Sequence, residues 1–276
     1  MKSYTILDNI TLIDYLENNL KISHKEVKNL LKFKLIEVNG KSITKFDYLL
    51  KKDDSLCIFN VRHINDKIEI LYEDSNIIVV NKPSLLLTIA NAKEKDRTLY
   101  HIVSDYVKKN NKNSKIFVIH RLDYETSGIV MFAKSEKIKE LYQNNWNDLV
   151  KYRGYTCMVE GKVKNNSDTI KLYLAENKSL FVYVSDKEHG REAITKYNVI
   201  KRFPTKTLLD VEILTGRRNQ IRVSMQSIGH PIIGDVKYGS KVFNKHLLLC
   251  ANKLIITNPL NNKDFNFEVK VPSYFK

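Results

Sequence analysis

The spacing of apolar positions changes along this chain, and the changes mark its elements. After Thr11, the residues Leu12, Leu16 and Leu20 fall on one side of a short helix. Ser23-His24-Lys25-Glu26 reads as a capping box, in which the serine caps a helix start and the glutamate reaches back. The helix it opens turns Val27, Leu30 and Leu31 inward and Lys25, Lys28 and Lys32 outward. Ile36-Glu37-Val38-Asn39-Gly40-Lys41 predicts a strand and a turn, since Asn-Gly is a strong hairpin signal. A strand over 53–59 closes the unit. Residues 61–72 are charged and read as a linker running into a strand. The expected division is 1–62 and 63–276.

Beyond the linker, apolar runs over 68–72 and 76–81 predict strands that end at Lys82-Pro83. Residues 98–109 predict a helix and 110–114 a polar loop. An apolar run over 116–119, a dense polar cluster, and a second apolar run over 129–133 predict strand, tight loop and strand. Ser135 caps a helix carrying Ile138, Leu141, Tyr142 and Leu149, with Trp146 packing beside that stripe. From residue 152 onward β pattern dominates, with strands expected over 154–160, 180–185, 194–201, 207–214, 247–256 and 265–271. One helix, 218–228, interrupts them and ends at Gly229. The expected class is α+β. A catalytic domain would be built on a mixed, mostly antiparallel sheet flanked by helices, with a small N-terminal α/β RNA-binding domain before it.

Composition narrows the partners. The 276 residues are 43% hydrophobic, enough for a buried core, yet Lys+Arg number 46 against 31 Asp+Glu, a formal charge of +15. Such an excess favours a polyanion: nucleic acid or an anionic membrane. No apolar run approaches the roughly 18–20 residues of a membrane span. Residues 1–6 lack the apolar stretch of a secretory leader. Cys57, Cys157 and Cys250 lie far apart in apolar runs and read as buried thiols of a reducing cytoplasm. No cysteine or histidine spacing suggests a metal site.

The polar cluster is the candidate for chemistry. His120-Arg121-Leu122-Asp123-Tyr124-Glu125-Thr126-Ser127-Gly128 puts a carboxylate two residues from a guanidinium, on a loop between buried strands. This HRLDxxTSG string resembles the signature of the RluA family of pseudouridine synthases, which isomerise uridine in RNA. The resemblance implies that Asp123 is the catalytic carboxylate. Four further segments resemble the same family in the same order. Asn81-Lys82-Pro83 is similar to its NKP segment, with Ser84, Leu85 and Ile89 where the family favours a small residue, a glycine and a histidine; it is read as a structural match only. The segment 153–161 is similar to its (K/R)xYxAxVxG strand, which makes Tyr155 the active-site tyrosine, with Cys157 at the alanine position. The segment 214–222 resembles TGRxHQIR, which makes Arg222 the partner of Asp123, while Asn219 and Ser224 replace histidines. The segment 229–239 resembles GHPIxGDxxYG. On the substrate side the resemblance points to His120, Arg121, Leu122, Arg217, Asn219, Gln220 and Ile221.

The implied reaction breaks the bond from the anomeric carbon to uracil N1, turns the base and rejoins the sugar at C5. It is redox-neutral, so neither metal nor cofactor is expected. A carboxylate serves as nucleophile or base, a neighbouring arginine holds it ionised, and a tyrosine can stack on the uracil or remove the C5 proton. The target base must leave its stack, and Arg121 is a candidate to fill the gap.

The first unit, with its two helices and V-N-G-K turn, resembles an S-four-type RNA-binding domain. The resemblance puts RNA contacts at Lys25, Lys28, Lys32, Lys34 and Lys41. The expected function is a cytoplasmic, monomeric RNA pseudouridine synthase that acts on large-subunit ribosomal RNA and has no membrane partner. Transfer RNA is the second substrate choice. A catalytically silent ribosome-assembly factor and a uracil-releasing glycosylase are the rival activities.

Overall fold

A computed structural model describes residues 2–32, 36–58, 68–90 and 98–275. The chain divides into two compact units, Met1–Lys67 and Ile68–Lys276. Residues 61–67 of the linker expected over 61–72, and Lys34, lie outside the described residues. No described helix is long and apolar enough to cross a membrane.

The first unit holds β1 (Lys2–Thr5), β2 (Ile10–Thr11), α1 (Leu12–Asp14), α2 (His24–Lys32), β3 (Ile36–Val38), β4 (Lys41–Ser42), β5 (Leu49–Leu50) and β6 (Ser55–Ile58). Thr11 caps α1, its hydroxyl accepting from the Asp14 amide, and a π-helical turn over Tyr15–Asn19 continues it. The capping residue Ser23 accepts from the Glu26 amide at 3.3 Å. Asn39 and Gly40 take φ of 50° and 76° in the β3–β4 turn, the conformation that Asn-Gly accepts at low cost. Four strands pair in the order β1-β6-β3-β4 around a core that includes Leu12, Leu16, Val27, Leu31 and Leu56. Strand β1 was not expected from the sequence. It has four residues and carries polar Lys2, Ser3 and Thr5, so periodicity alone does not mark it.

The second unit is an α+β fold on one large sheet. Its strands are β7 (Glu69–Glu73), β8 (Ile77–Lys82), β9 (Phe117–Val118), β10 (Ser127–Ala133), β11 (Val150–Glu160), β12 (Ser167–Glu176), β13 (Val182–Ser185), β14 (Arg191–Arg202), β15 (Lys206–Ile213), β16 (Leu249–Thr257) and β17 (Asp264–Glu268). Their order is β13-β12-β14-β15-β11-β16-β10-β8-β7, with β17 on β16 and β9 on β10. β10 and β16 run parallel, and the other described pairs are antiparallel.

The helices are α3 (Leu99–Asn110), α4 (Glu136–Asn144), α5 (Trp146–Leu149) and α6 (Gln220–Ser227). Residues 77–80 of β8 and 129–133 of β10 read as unbroken apolar runs because both faces of these strands are covered. Val79, Ile129 and Met131 pack in a core that takes in Ile138 and Tyr142 of α4 and Ile221 and Met225 of α6. Val80, Val130 and Phe132 face the other way, onto Leu99, Val103 and Val107 of α3. Fully burying such a side chain contributes about 1.5–3 kcal/mol.

Three expectations need correction. The helix expected after Ser135 breaks at Asn145, whose backbone leaves the helical region and whose side-chain amide bonds the Leu141 carbonyl. The helix expected from Arg218 starts at Gln220, because Asn219 takes φ +52° and turns the chain into it. Strand β12 was not expected: only Ile170 and Leu174 of its ten residues are buried, which leaves a weak apolar signal.

Candidate active site

The polar stretch between β9 and β10 forms a loop gripped through its main chain. The grip comes from residues 82–88, the last residue of β8 and the segment that follows it. The Thr88 hydroxyl donates to the Leu122 carbonyl at 2.8 Å and accepts from the Leu122 amide at 3.2 Å. The Tyr124 carbonyl receives the Leu86 amide at 3.2 Å and the Lys82 ammonium at 3.3 Å. The Ser84 hydroxyl donates to the Glu125 carbonyl at 2.7 Å. Asp123 sits in the middle of these anchors, half-buried. Lys82 of the NKP segment, which is read from sequence as a structural match, thus joins Ser84, Leu86 and Thr88 in holding the loop that carries the candidate carboxylate.

Lys82 is fully buried. Its other two hydrogen bonds go to the Pro83 and Leu86 carbonyls at 3.0 and 2.8 Å. Burial pulls its pKa down to about 7, against the charges of Asp123 and Glu125, which favour the ammonium. Leu85 stands where the family favours glycine and takes φ +62°, the left-handed region that glycine enters without cost. At the other end of the loop Gly128 has φ +118° and lies against Ala251 of β16, where a Cβ would meet the Ala251 carbonyl oxygen at 2.1 Å. Glycine there lets β10 and β16 run side by side.

Burial raises the Asp123 pKa, and Glu125 adds to the rise. The positive charges of Arg222, Arg218 and Lys82 oppose it. Tyr155 comes from β11. Burial pushes its phenol up to about 12, with Asp123 adding to the rise and Arg153 opposing it. Asp123, Tyr155 and Arg222 therefore share one electrostatic neighbourhood.

The arginine pairing differs from the expected one. The Arg222 guanidinium is buried, and its two-bond partner is Asp235: Nε donates at 2.8 Å and Nη2 at 2.7 Å. Its Nη1 reaches Glu125 at 3.3 Å and Asn219 at 3.4 Å. Asp123 feels Arg222 as a neighbouring charge. Arg222 is the third residue of α6, and its side chain lies on the buried face of the helix. There Asp235, itself buried, meets it, while the Asp123 loop approaches from the Nη1 side. The sequence signal for Asp235 was present in the GHPIxGD resemblance, but no chemistry had been attached to it.

The substrate-side candidates separate into two groups. Arg121 and Arg217 are exposed, and Leu122 is half-buried beside a small cavity that Tyr155, His120, Trp146 and Arg153 also line. The other four are held inside the protein. His120 accepts the Met131 amide on Nε2 and packs on Trp146, and burial lowers its pKa to about 4. The Asn219 amide donates to the Tyr238 hydroxyl at 2.9 Å. Gln220 bonds Thr215, Thr195, the Arg217 amide and the Ile194 carbonyl. Ile221 is core. In the first unit Lys28 and Lys41 are exposed. The side chains of Lys25 and Lys32 lie outside the described residues.

The sequence pattern of the family described as RNA pseudouridylate synthase matches residues 76–227, which include Asp123, Tyr155 and Arg222. The chain belongs to the RNA pseudouridylate synthase family. The enzyme is an isomerase that modifies RNA. An uncharacterised RNA pseudouridine synthase of Aquifex aeolicus (strain VF5) is 31% identical over 92% of this pseudouridine synthase and 87% of its own length. A protein of Borreliella burgdorferi named ribosomal large subunit pseudouridine synthase D is 30% identical over 86% of this chain and 78% of its own. Human RNA pseudouridylate synthase domain containing 4 shares the fold, with a TM-score of 0.63 at 20% identity, over 75% of this synthase and 89% of that chain.

Proposed function

We propose that this synthase converts a uridine of large-subunit ribosomal RNA to pseudouridine, with Asp123 as the catalytic carboxylate. The supporting observation is the grip of residues 82–88 on the main chain on both sides of Asp123, which fixes a half-buried carboxylate beside Tyr155 and within the field of Arg222. In the reaction the C1′–N1 bond breaks, C1′ bonds to C5, C5 loses its proton and N1 gains one. Asp123 acts as nucleophile or base at the sugar or base, Tyr155 stacks on the uracil and takes the C5 proton, and Arg222 stabilises the charge of the carboxylate. Exposed Arg121 enters the space the flipped base vacates. Ribosomal RNA is favoured over transfer RNA by the name of the Borreliella relative. The first unit is read as an S-four-type RNA-binding domain presenting Lys28 and Lys41, and the enzyme as a cytoplasmic monomer.

The test maps pseudouridines in total RNA from cells with the gene, without it, and with the Asp123→Asn protein supplied in its place. One or more pseudouridines in large-subunit ribosomal RNA should vanish with the gene and not return with Asp123→Asn. Loss confined to transfer RNA overturns the substrate. Restoration by Asp123→Asn, after excluding deamidation, overturns the catalytic residue.

A further inference from the structure

Between Ile233 and Leu248 the chain leaves the core and returns to it. The Leu248 amide bonds the Ile233 carbonyl at 3.0 Å, and at Gly234 the two passes come so close that a Cβ would meet the His246 carbonyl oxygen at 2.3 Å. What lies between is an excursion with a closed neck. Its first residue, Asp235, is the two-bond partner of Arg222, which touches Glu125 of the Asp123 loop. Its last side, at His246, stacks on Tyr274 with centroids 4.3 Å apart, and the Tyr274 hydroxyl donates to Ser127, at the other end of that loop. Both roots of the excursion are therefore tied to residues that follow Asp123, one to Glu125 through Arg222 and the other to Ser127 through Tyr274.

The excursion is braced. Glu160, at the end of β11, accepts from the Ser240 hydroxyl at 2.6 Å and from the Lys241 and Val242 amides at 2.8 and 3.0 Å. Ser240 also receives the Gly234 amide. On this fixed backbone the outward side chains are apolar and cationic. Phe243 is 88% exposed and Val242 and Val236 are exposed, with Lys241 and Lys245 exposed on either side of Phe243. A single exposed apolar residue is ordinary. A nearly naked phenyl ring held between two lysines at the rim of an RNA-modifying site has the make-up of a single-strand stacking platform, with a ring for the base and ammonium groups for the backbone.

We propose that residues 235–245 form an RNA-contacting rim in which Phe243 stacks on an unpaired base beside the target nucleotide, while Lys241 and Lys245 meet the flanking phosphates. This rests on the reading of the Asp123 loop as the site of reaction. No residue of the reaction centre is altered by changing Phe243, and its exposure means that removing the ring leaves the core untouched.

The test uses the full-length protein. Affinity for a fluorescein-labelled single-stranded oligouridine is read by polarisation, and turnover is read on an unmodified large-subunit ribosomal RNA transcript. Phe243→Ala should weaken oligouridine binding and raise KM by roughly 5- to 150-fold, the range for losing one base–aromatic stack. Saturating kcat, melting temperature and the salt dependence of binding should stay unchanged, and Phe243→Trp should bind as wild type. The double variant Lys241→Gln, Lys245→Gln should reduce the slope of log affinity against log salt by about 1.4. Phe243→Ala with wild-type affinity and KM overturns the proposal. So does a Phe243→Ala protein that changes in sedimentation but not in RNA affinity, which would give this surface to a protein partner. If wild type leaves the transcript unmodified while Phe243→Ala still loses oligouridine affinity, the substrate reading fails and the rim stands.

Discussion

Asp235 holds Arg222 by the Nε–Nη2 edge of its guanidinium, at 2.8 and 2.7 Å, so that Nη1 is the corner turned toward the Asp123 loop. A guanidinium bound along one edge cannot swing, so Asp235 decides which part of Arg222 the loop sees. The pair is also neutral as a unit, which tempers the pull of Arg222 on the Asp123 carboxylate.

Breaking this pair should have two separable effects. Asp235→Ala leaves a buried guanidinium without its main partner and should cost about 3–5 kcal/mol of stability. It should also lower kcat sharply. Asp235→Asn keeps the shape and removes the charge. Arg222 then acts on Asp123 uncompensated, so the acidic limb of the kcat/KM profile should move to lower pH. Thermal melts and a pH–rate profile measure both effects, and an unmoved limb in Asp235→Asn would confine Asp235 to a packing role.

Burial raises the Asp123 pKa despite three nearby cations. The reaction needs the ionised carboxylate, so activity should be lost as pH falls through this raised value. The apparent pKa of the acidic limb should therefore exceed the ~3.9 of an ordinary aspartate. Single-turnover rates across the acid range read it directly, and a limb at or below the ordinary value contradicts the prediction.

Tyr155 has its phenol pushed up to about 12, so at neutral pH it is protonated and becomes a base only by handing its proton on. Tyr155→Phe keeps the ring and should bind RNA normally. Its pseudouridine formation should fall by roughly a hundredfold or more if the hydroxyl takes part in proton transfer. Near-normal turnover would leave stacking as the whole of its role.

Thr88 is a residue to which the sequence attached no function, yet its hydroxyl holds both polar main-chain atoms of Leu122. Thr88→Val is similar in size and lacks both bonds. It should lose about 1–3 kcal/mol of stability, since two main-chain groups lose their partner. Misplacing the neighbouring carboxylate should lower kcat roughly ten- to a hundredfold with little change in KM. A KM effect without a kcat effect would show that Thr88 does not position Asp123.

The parts of this fold that were legible in the sequence are those whose signal is local. Residues 77–80 of β8 and 129–133 of β10 stand out because burial on both faces leaves them apolar at every position, and Ser135 caps α4 as expected. The polar loop between β9 and β10 was legible as a loop for the same reason. What was not legible depends on three-dimensional partners. The grip of residues 82–88 ends on main-chain carbonyls and an amide, which are present at every position and leave no mark on the string of side chains. Asp235 could be seen, but its capture of Arg222 depends on how the chain turns between Ser227 and Val236. Asn219 and Gln220 look like polar groups offered to a substrate until the fold shows each of them bonded inside the protein.

The grip on the Asp123 loop has an evolutionary consequence. Lys82, Ser84, Leu86 and Thr88 clasp main-chain atoms of the loop, which every amino acid carries. The donors that must be kept therefore lie outside the loop, at 82, 84 and 88. A substitution at one of those three positions can displace the carboxylate without changing a letter of the segment that bears it.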